Sequence, residues 1–415
     1  MAKKEIEQTE IEAPYELPEG WKWCRLGEVA DWGSGGTPSR KNPKYYQGSI
    51  PWIKTGELNE TYILDSEEKV SEDAIKHSSA KIFPKETVVM AMYGATIGKT
   101  AIFGIDASTN QACACAICHK ELDNHFLFNF LKSKKDYFLY NAKGGAQPNI
   151  SQEIIKNTLI PLPPTLAEQQ RIVNRIESMF AKLDEAKEKA QNVVDGFETR
   201  KAAILHKAFT GELTAKWRKE NGVSDDSWVE KTIGECLIAI SDKYDPQKDK
   251  IDGGQYIGLE NIEANGGIIS TGAVSSVKSI KTLFKNNDLL YGKLRPYLNK
   301  HDIVEFDGIC STDILVYRSK PEYEIKFFNY LFSQNCFIQY AIENSNGINL
   351  PRTSEKNISA YSQKIPTLPE QVEIVRILDI IIEKENKAKQ AAEAVLEQID
   401  FLKKSILARA FRGEL

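Results

Sequence analysis

Two short stretches of the sequence have residue types that could hold a metal ion or a phosphate group. Cys113–His119 offers four metal-ligating side chains within seven residues. That is too cramped for tetrahedral zinc, and the alternation of Cys113, Cys115 and Ile117 predicts one face of a buried strand instead. Gly94–Thr100 looks like a phosphate-binding loop, but only three residues separate its glycines where that loop needs four. We expect neither a metal site nor nucleotide hydrolysis at these positions.

A third stretch could belong to a methyl-transfer site. Asn42-Pro-Lys-Tyr45 is similar to the Asn-Pro-Pro-Tyr of adenine methyltransferases. It lacks the second proline, an apolar strand before it and a Gly-rich cofactor loop. The chain has five histidines, and no histidine is grouped in the sequence with a carboxylate and a nucleophile. We therefore predict a chain without catalytic residues, metal ligands or a cofactor of its own.

The remaining chemistry is that of basic loops mixed with Tyr, Asn and Gln. Such loops can contact phosphates and reach base edges, so they are candidates for DNA binding. A solvated surface loop is the simpler reading of any single one, but they recur in both halves of the chain. The candidate side chains are Ser39, Arg40, Lys41, Lys44, Tyr45, Tyr93, Lys99, Lys134, Lys143, Gln147 and Asn149 in the first half, and Tyr291, Lys293, Arg295, Tyr297, Lys300, Asn349 and Arg352 in the second.

The element that would position these loops is a segment that occurs twice. Residues 164–213 align with 366–415 at a constant offset of 202, and both copies end in Ala-Phe-x-Gly-Glu-Leu. A loop tolerates changes in length, whereas one insertion in a packed helix rotates everything after it. The constant offset therefore predicts two long helices.

Apolar residues recur in both copies at alternating steps of four and three, which is the heptad pattern of a coiled coil. The predicted seam is Ile172, Ile176, Leu183, Val193, Phe197 and Ile204 in the first copy, and Ile374, Leu378, Ile381, Val395, Ile399, Leu402 and Ile406 in the second. Two such rods from one chain most simply pair antiparallel, each about 55 Å long at about 1.5 Å per residue. This arrangement predicts a ruler with a reading domain at each end.

The two globular regions resemble each other more weakly. Trp21 with the following Leu-Gly-Glu matches Trp228 with Ile-Gly-Glu, and Gly144–Asn149 matches Gly347–Arg352. Two further alignments pair Tyr93-Gly94 with Tyr291-Gly292, and Ser108-Thr-Asn with Ser311-Thr-Asp. The offsets drift from 198 to 207, so we infer that the ends have diverged while the spacer kept its length.

Composition sets the class of protein without identifying it. The 415 residues are 27% charged and 41% hydrophobic, which suits two soluble globular domains plus the helices. The sequence has no apolar run long enough for a membrane span and no signal peptide, and its seven scattered cysteines suggest a reducing, cytoplasmic location. A net charge of −4 argues mildly against nucleic acid, but a local basic face is what matters for DNA.

Several motifs together resemble the specificity subunit of type I restriction–modification systems along nearly the whole chain. They are Gly35-Gly-Thr-Pro-Ser39, Ile50-Pro-Trp-Ile53, Gly94-Ala-Thr-Ile-Gly-Lys99, Asn110-Gln111, Gly145-Ala-Gln-Pro-Asn-Ile150, Ile160-Pro-Leu-Pro-Pro164, Glu168-Gln-Gln-Arg-Ile-Val173 and both Ala-Phe-x-Gly-Glu-Leu ends. The second domain departs from the pattern, with Lys293-Leu-Arg295 where the first has Ala95-Thr-Ile97.

The resemblance implies two target recognition domains that each read one half of an asymmetric, bipartite site in double-stranded DNA. It implies that adenine methylation with S-adenosylmethionine belongs to two modification subunits docked on the helices. It also implies that ATP- and Mg-dependent translocation and cleavage belong to a restriction subunit. The competing reading is a coiled-coil scaffold whose two domains bind protein or glycan ligands without DNA specificity.

The predicted fold class is α+β, with two α/β target recognition domains joined by two long helices that form an antiparallel coiled coil with approximate two-fold symmetry. The predicted boundaries are 1–163 for the first recognition domain, 164–213 for the first spacer helix, 214–363 for the second recognition domain and 364–415 for the second spacer helix.

Overall fold

A computed structural model gives the structure of the chain and describes residues 13–59, 62–145, 148–249 and 254–415. The chain divides into two compact units. Unit 1 contains residues 1–190 and 394–415, and unit 2 contains residues 191–393. Each unit therefore combines a globular region with parts of both predicted spacer helices.

Short strands and helices make up the globular part of unit 1. Its strands are β1 (Lys22–Arg25), β2 (Ala30–Ser34), β3 (Ile50–Ile53), β4 (Tyr62–Ile63), β5 (Glu68–Val70), β6 (Ile82–Phe83), β7 (Val88–Ala91), β8 (Thr100–Phe103), β9 (Ala107–Thr109), β10 (Cys113–Cys118) and β11 (Leu159–Leu162). Its helices are α1 (Leu26–Val29), α2 (Glu72–Lys76), α3 (Asn124–Ser133), α4 (Lys135–Tyr140), α5 (Gln152–Asn157) and α6 (Leu166–Asp195), whose last residues lie in unit 2.

Unit 2 has a similar set of short strands and helices. Its helices are α7 (Phe197–Phe209), α8 (Ala215–Asn221), α9 (Ile233–Cys236), α10 (Ile325–Phe332), α11 (Asn335–Glu343), α12 (Glu355–Ser359) and α13 (Leu368–Ala410), which ends in unit 1. Its strands are β12 (Val229–Thr232), β13 (Leu237–Ile240), β14 (Lys243–Tyr244), β15 (Gln255–Ile257), β16 (Gly272–Ala273), β17 (Lys281–Phe284), β18 (Leu289–Gly292), β19 (His301–Ile303), β20 (Gly308–Cys310), β21 (Ile314–Ser319) and β22 (Ser362–Ile365).

The sheets of the two units correspond. Unit 1 has a β1–β11 pair, a sheet ordered β2-β10-β7-β8-β4 and a sheet ordered β5-β3-β9-β6. Unit 2 has a β12–β22 pair, a sheet ordered β13-β21-β18-β19 and a sheet ordered β14-β17-β20-β15-β16. Most pairs are antiparallel, but β3–β9 and β15–β20 are parallel at equivalent places, and β4–β8 of unit 1 is parallel as well. The predicted mixed class, with two similar domains and long helices, is confirmed.

In unit 1, α6 packs antiparallel to the end of α13. Ile172 and Ile176 share a core with Leu407 and with side chains of α3. Lys403 forms an ion pair with Asp184 at 2.6 Å, and Arg171 donates to the Leu415 carbonyl at 2.7 Å. As residue numbers fall along α6 they rise along the partner, which fixes the antiparallel direction.

In unit 2, α7 packs antiparallel to the first part of α13. Leu205 shares a core with Ile374 and Leu378, and Arg200 forms an ion pair with Glu385 at 2.7 Å. The first copy of the repeat breaks at Gly196, between α6 and α7, whereas α13 is continuous. Identical length and period therefore give one interrupted helix and one unbroken helix.

The predicted seam holds in part. Ile172, Ile176, Phe197, Ile374, Leu378 and Ile399 are buried, and Leu183, Val193, Ile204, Ile381 and Ile406 are half-buried. The prediction is wrong for Val395 and Leu402, whose side chains are 40% and 41% exposed. Leu396 and Lys403 are the better-buried neighbours, and the Lys403 ammonium lies 5.2 Å from the Phe180 ring centroid. A polar side chain with a long apolar stem thus fills a place that a hydrophobicity pattern gives to Leu402.

The strand predicted in Cys113–His119 is confirmed, but the prediction that Ile117 shares its buried face is wrong, since Ile117 is 39% exposed. Residues Cys113–Cys118 form β10, with Cys113 and Cys115 fully buried on the face opposite Ala114 and Ala116. Burial raises the pKa of the Cys115 thiol to about 12. Within the described ranges, no helix is long and apolar enough to cross a membrane.

Candidate nucleic-acid interface

In unit 1, two glycines place the loop that carries the first basic candidates. A Cβ on Gly35 would lie 1.9 Å from the Thr109 carbonyl oxygen, and one on Gly36 would lie 2.2 Å from the Ser79 hydroxyl. Any larger residue would push the chain away from β9. The loop that follows presents Ser39, Lys41 and Lys44 to solvent, with Tyr45 half-buried beneath it.

Arg40, although exposed, is held within this loop. Its guanidinium forms two hydrogen bonds with Glu68, at 2.6 and 3.1 Å, and stacks 4.0 Å from the centroid of the Tyr46 ring. The hydrogen bond from Arg40 lowers the pKa of Glu68, so the carboxylate stays charged. Arg40 therefore supports the loop, and the neighbouring Lys41 and Lys44 are better placed to meet a phosphate.

A second element of unit 1 is a small hairpin, described at residues 143–145 and 148–149, which we call hairpin 1. Lys143 and Asn149 exchange two backbone hydrogen bonds, both at 2.8 Å. The hairpin is fixed to the β7–β8 connection, because Gly94 donates its amide proton to the Pro148 carbonyl at 2.8 Å. This brings exposed Tyr93, Lys143 and Asn149 together from distant parts of the sequence. Gln147, the other candidate here, lies outside the described residues.

Two further candidates of unit 1 lie apart from hairpin 1. Lys99 is half-buried at the end of the β7–β8 connection, where its backbone amide donates to the Thr96 carbonyl. Lys134 is the residue between α3 and α4, and its ammonium lies 5.6 Å from the Phe130 ring centroid. Burial lowers the pKa of Lys134, so this cation is less available than the sequence suggests.

Unit 2 has the same hairpin at residues 346–352, which we call hairpin 2. Asn346 and Arg352 exchange backbone hydrogen bonds at 2.9 and 2.8 Å, and Arg295 donates its amide proton to the Pro351 carbonyl at 2.7 Å. The first loop residue is a glycine in the left-handed region in both hairpins, with φ of 106° at Gly144 and 101° at Gly347. The predicted match of Gly144–Asn149 with Gly347–Arg352 is thus confirmed.

A cluster of cations lies beside hairpin 2. The Arg352 guanidinium forms an ion pair with Asp313 at 2.8 Å. The next residue, Thr353, donates its backbone amide proton to the Lys293 carbonyl, which places Lys293 beside the base of the hairpin. Burial lowers the pKa of Lys293, and the positive charges of Arg352 and Lys243 lower it further, while Asp313 raises it. Three cations, Lys293, Arg352 and Lys243, thus lie around the single carboxylate of Asp313, and this local excess of positive charge would attract an anion.

One member of this cluster was missed from the sequence. Lys243 lies on β14 and donates to the Thr282 hydroxyl at 3.1 Å, whereas Lys281 on the paired strand β17 is in register with Tyr244 and so lies on the other face of the sheet. The Lys281 ammonium is 5.8 Å from the Tyr256 ring centroid. Strand β14 is distant from residues 293 and 352 in sequence, and a lone lysine on a short strand gives no motif that could have revealed Lys243.

The other candidates of unit 2 differ in exposure. Arg295, Tyr297 and Asn349 are exposed, whereas Lys300 is half-buried and donates to the Leu259 carbonyl at 2.7 Å. Tyr291 is fully buried, with edge contacts to the stacked rings of Phe332 and Phe337, so its assignment as a DNA contact is wrong.

The error at Tyr291 comes from the alignment with Tyr93. Strand pairing sets Met90 opposite Ala114 on β10 and Tyr291 opposite Leu315 on β21, so Tyr291 corresponds to buried Met90. By the same comparison, Asn110 of unit 1 corresponds to Ser311 of unit 2. The Asn110 amide donates to the Ile53 carbonyl at the end of β3, and the Ser311 amide donates to the Ile257 carbonyl at the end of β15. The predicted pairing with Ser311-Thr-Asp was two residues out of step.

The sites that resembled catalytic motifs have other roles. Gly94–Thr96 forms a short 3₁₀ turn between the antiparallel strands β7 and β8. A phosphate-binding loop, by contrast, connects a strand to a helix. Its first amide is already bonded to Pro148. In the part of the chain that the structure describes, no three His, Cys, Asp or Glu side chains are grouped to hold a metal ion. What both units share is a hairpin closed by a pair of backbone hydrogen bonds, with cations beside it.

Comparison with known proteins identifies this arrangement. The family model described as "Type I restriction modification DNA specificity domain" matches residues 18–194 and 225–398. The specificity subunit of the type I restriction enzyme EcoDI from Escherichia coli is 25% identical over 96% of this chain and 89% of its own length. That of EcoKI, from strain K12, is 24% identical over 96% of this chain and 90% of its own length.

Solved structures share the fold. The crystal structure of the HsdS subunit from Thermoanaerobacter tengcongensis superposes with a TM-score of 0.67 at 20% identity, covering 97% of this chain and all of that chain. A chain from a structure of a type I restriction–modification system gives 0.66 at 19% identity with the same coverage. A duplicated domain with DNA-specificity homology defines a sequence-recognition protein. The chain belongs to the family of type I restriction–modification DNA specificity proteins.

Proposed function

We propose that this chain is the non-catalytic DNA sequence-recognition subunit of a type I restriction–modification complex, and that it reads an asymmetric, bipartite site. One observation carries the proposal. Each unit of a chain from the DNA specificity family presents a backbone-clasped hairpin with basic and polar side chains beside it, and the two hairpins carry different side chains. Asn149 in hairpin 1 corresponds to Arg352 in hairpin 2, so the two units would read different bases.

In this proposal the domains keep the boundaries expected from the sequence. Residues 1–163 and 214–363 are the two target recognition domains, and 164–213 and 364–415 are the spacer helices that form an antiparallel coiled coil. The antiparallel packing within each unit supports this reading, since Lys403 pairs with Asp184 in one and Arg200 with Glu385 in the other. The spacer would set the length of the unread gap between half-sites.

The chemistry would belong to partner subunits. We propose that two modification subunits dock on the helices and methylate adenine with S-adenosylmethionine, and that a restriction subunit uses ATP and Mg. The relatives are specificity subunits of restriction enzymes, which supports this division of labour. The complex would work in the cytoplasm. A protein-binding scaffold without DNA specificity is not favoured, because the family match covers both globular regions.

The side chains that we assign to DNA fall into two groups. Lys41, Lys44 and Lys243 would contact phosphates, which positions the protein without reading sequence. Tyr93, Lys143 and Asn149 on one unit, and Lys293, Asn349 and Arg352 on the other, would face base edges. Arg352 is suited to a bidentate contact with guanine, because its guanidinium is already oriented by Asp313 at 2.8 Å.

Mapping methylated adenines in a host that carries this chain with its modification subunits tests the proposal. The wild-type complex should methylate one bipartite sequence. Arg352→Ala should relax specificity in one half of that sequence, and Asn149→Ala should relax only the other half. If either variant changed both halves, the units would not read independently.

Salt dependence separates phosphate contacts from base contacts. Lys41→Ala should weaken binding to all sequences alike and lower the slope of log K against log salt by about 0.9, because one counterion fewer is released. Lys187→Ala removes the same charge from the exposed face of α6 and should leave the slope unchanged. Equal effects of the two variants would rule out a specific role for the loop of residues 37–46.

A further inference from the structure

The tip of hairpin 2 carries an isoleucine that contacts nothing. Ile348 is 99% exposed and Leu350, two residues on, is 53% exposed. An exposed apolar side chain is ordinary by itself, but this one stands on a loop whose backbone is fixed at both ends. Asn346 and Arg352 close the hairpin, and the bond from Arg295 to Pro351 holds it against the sheet.

Hairpin 1 lacks this side chain. The matching left-handed glycines and the matching closing pairs set Gly145 of hairpin 1 in register with Ile348 of hairpin 2. Both residues stand directly after the left-handed glycine. The described residues of the two hairpins thus have the same closing bonds and the same glycine conformation. They differ at this position by a whole isoleucine side chain, which exposes an apolar group without a folding benefit.

The surroundings of Ile348 indicate what could cover it. Within four residues stand Asn346, Asn349 and Arg352, and Lys293 lies next to the base of the hairpin. A polyanion is attracted to such cations, and asparagine and arginine side chains match the edges of bases. The chemistry around the tip therefore favours a DNA duplex over an apolar protein surface.

The width of the hairpin decides which groove it can enter. Its two arms are about 4.8 Å apart where Asn346 pairs with Arg352, before the width of their side chains is added. The major groove of B-DNA is about 12 Å wide and admits a two-stranded ribbon, whereas the minor groove is about 6 Å wide. In the major groove the exposed apolar group is the C5-methyl of thymine.

We propose that Ile348 is a specificity-determining residue of unit 2, which packs on the methyl group of one thymine in the major groove of its half-site. This rests on the proposed DNA-reading function and adds a base contact that unit 1 cannot make through Gly145. Arg352 and the asparagines would fix the register, and Ile348 would select thymine over cytosine at one position. Binding would bury a side chain that the free protein leaves in water.

The experiment measures binding of the full chain, purified with its modification subunits, to a duplex that contains the mapped target sequence. In a series of duplexes, each thymine of the unit 2 half-site is replaced in turn by deoxyuridine, which removes only the methyl group. Wild-type affinity should fall about three- to tenfold at one position, as expected for loss of an apolar contact of this size. The affinity of Ile348→Ala for the natural duplex should be lower than that of wild type by a similar factor. Deoxyuridine at that position should not lower the affinity of this variant further.

Matched variants separate this contact from indirect effects. Ile348→Gly reproduces the residue of hairpin 1 and should behave like Ile348→Ala, whereas Ile348→Val should keep most of the methyl sensitivity. Ile269→Ala removes another exposed isoleucine of unit 2, 60% exposed, and should bind like wild type. Because Ile348 has almost no buried surface, none of its variants should unfold the domain.

Two outcomes overturn the inference and differ from failure of the proposed function. If Ile348→Ala binds the target as tightly as wild type, the side chain makes no contact with DNA. If Ile348→Ala weakens binding but no single deoxyuridine position becomes neutral in that variant, the contact is not to a thymine methyl. In both cases the wild-type complex still prefers its target, whereas a complex without any sequence preference would refute the proposed function itself.

Discussion

The Gln169 side chain accepts a hydrogen bond from the backbone amide of Asp123 at 2.8 Å, and its own amide donates to the Glu121 carbonyl at 2.8 Å. Asp123 is the residue that caps the first turn of α3. Gln371 accepts in the same way from Glu324, the cap of α10, at 2.9 Å. Both glutamines are fully buried. A side chain of each long helix thus fixes the start of a helix in the recognition region.

Replacing Gln169 should loosen this joint. Gln169→Leu would leave a buried amide and a buried carbonyl without partners, so we expect a loss of about 2 kcal/mol in the free energy of unfolding. The adjacent Gln170→Leu is the control, since Gln170 is exposed and bonds to Asn174 on its own helix, and it should change stability by less than about 0.5 kcal/mol. Urea unfolding followed by circular dichroism measures both. An equal free energy of unfolding for the two variants would show that the hydrogen bonds of Gln169 do not stabilise the fold.

The second copy of the repeat has a buried ion pair that the first lacks. Glu370 is fully buried and accepts hydrogen bonds from Arg218 at 2.7 Å and Thr214 at 2.6 Å. Glu370→Ala should cost about 3 kcal/mol, because Arg218 loses its buried partner. The equivalent Glu168 is partly exposed and pairs with Arg171 one turn away on the same helix, so Glu168→Ala should cost less than about 1 kcal/mol. Thermal unfolding of the two variants gives the comparison, and similar losses would contradict it.

Stability should depend on pH through His301. Burial lowers the pKa of His301 from 6.5 to about 4, assisted by the charge of Lys201 and opposed by the hydrogen bond with Asn329. The folded chain therefore keeps this imidazole neutral while the unfolded chain binds a proton below about pH 6.5. This contribution is fully present above pH 6.5 and is lost as pH falls towards 4. We expect a loss of about 2 kcal/mol between pH 7 and pH 5.

A variant of His301 tests whether this residue causes the pH dependence of stability. His301→Asn should flatten the decrease in the free energy of unfolding between pH 7 and pH 5, even if it lowers stability at every pH. His206→Gln removes an exposed histidine of α7 and should keep the full decrease. An unchanged slope in His301→Asn would show that other groups cause the pH dependence.

The spacer hypothesis predicts a change in the gap of the DNA site. One heptad inserted after Ala190 and one after Ala394 preserve the heptad phase and add about 10.5 Å, or about three base pairs at about 3.4 Å each. We expect the gap to lengthen by about that amount while both half-sites stay the same, as read from the methylated adenines. Lys187→Ala with Glu188→Ala alters the same helix at constant length and should leave the gap unchanged. Altered bases with a constant gap would refute the hypothesis.

The sequence was sufficient for the features that depend on local periodicity and on repetition. A constant offset of 202 predicts two long helices, and α6, α7 and α13 occupy those segments. Alternation in Cys113–Cys118 predicts a strand, because a buried strand has a two-residue period whatever it packs against. The match of Gly144 with Gly347 was also visible, because a left-handed backbone strongly favours glycine.

Only the tertiary structure decided which side chains meet solvent together. Tyr291 and Tyr93 look equivalent in the sequence, yet the register of β18 on β21 buries one while the other stands on the exposed β7–β8 connection. Lys243 joins Lys293 because β14, β17 and their neighbours fold together, and no spacing along the chain reports that. Local patterns fix an element's type, whereas its exposed chemistry depends on strand register and on packing between residues far apart in sequence.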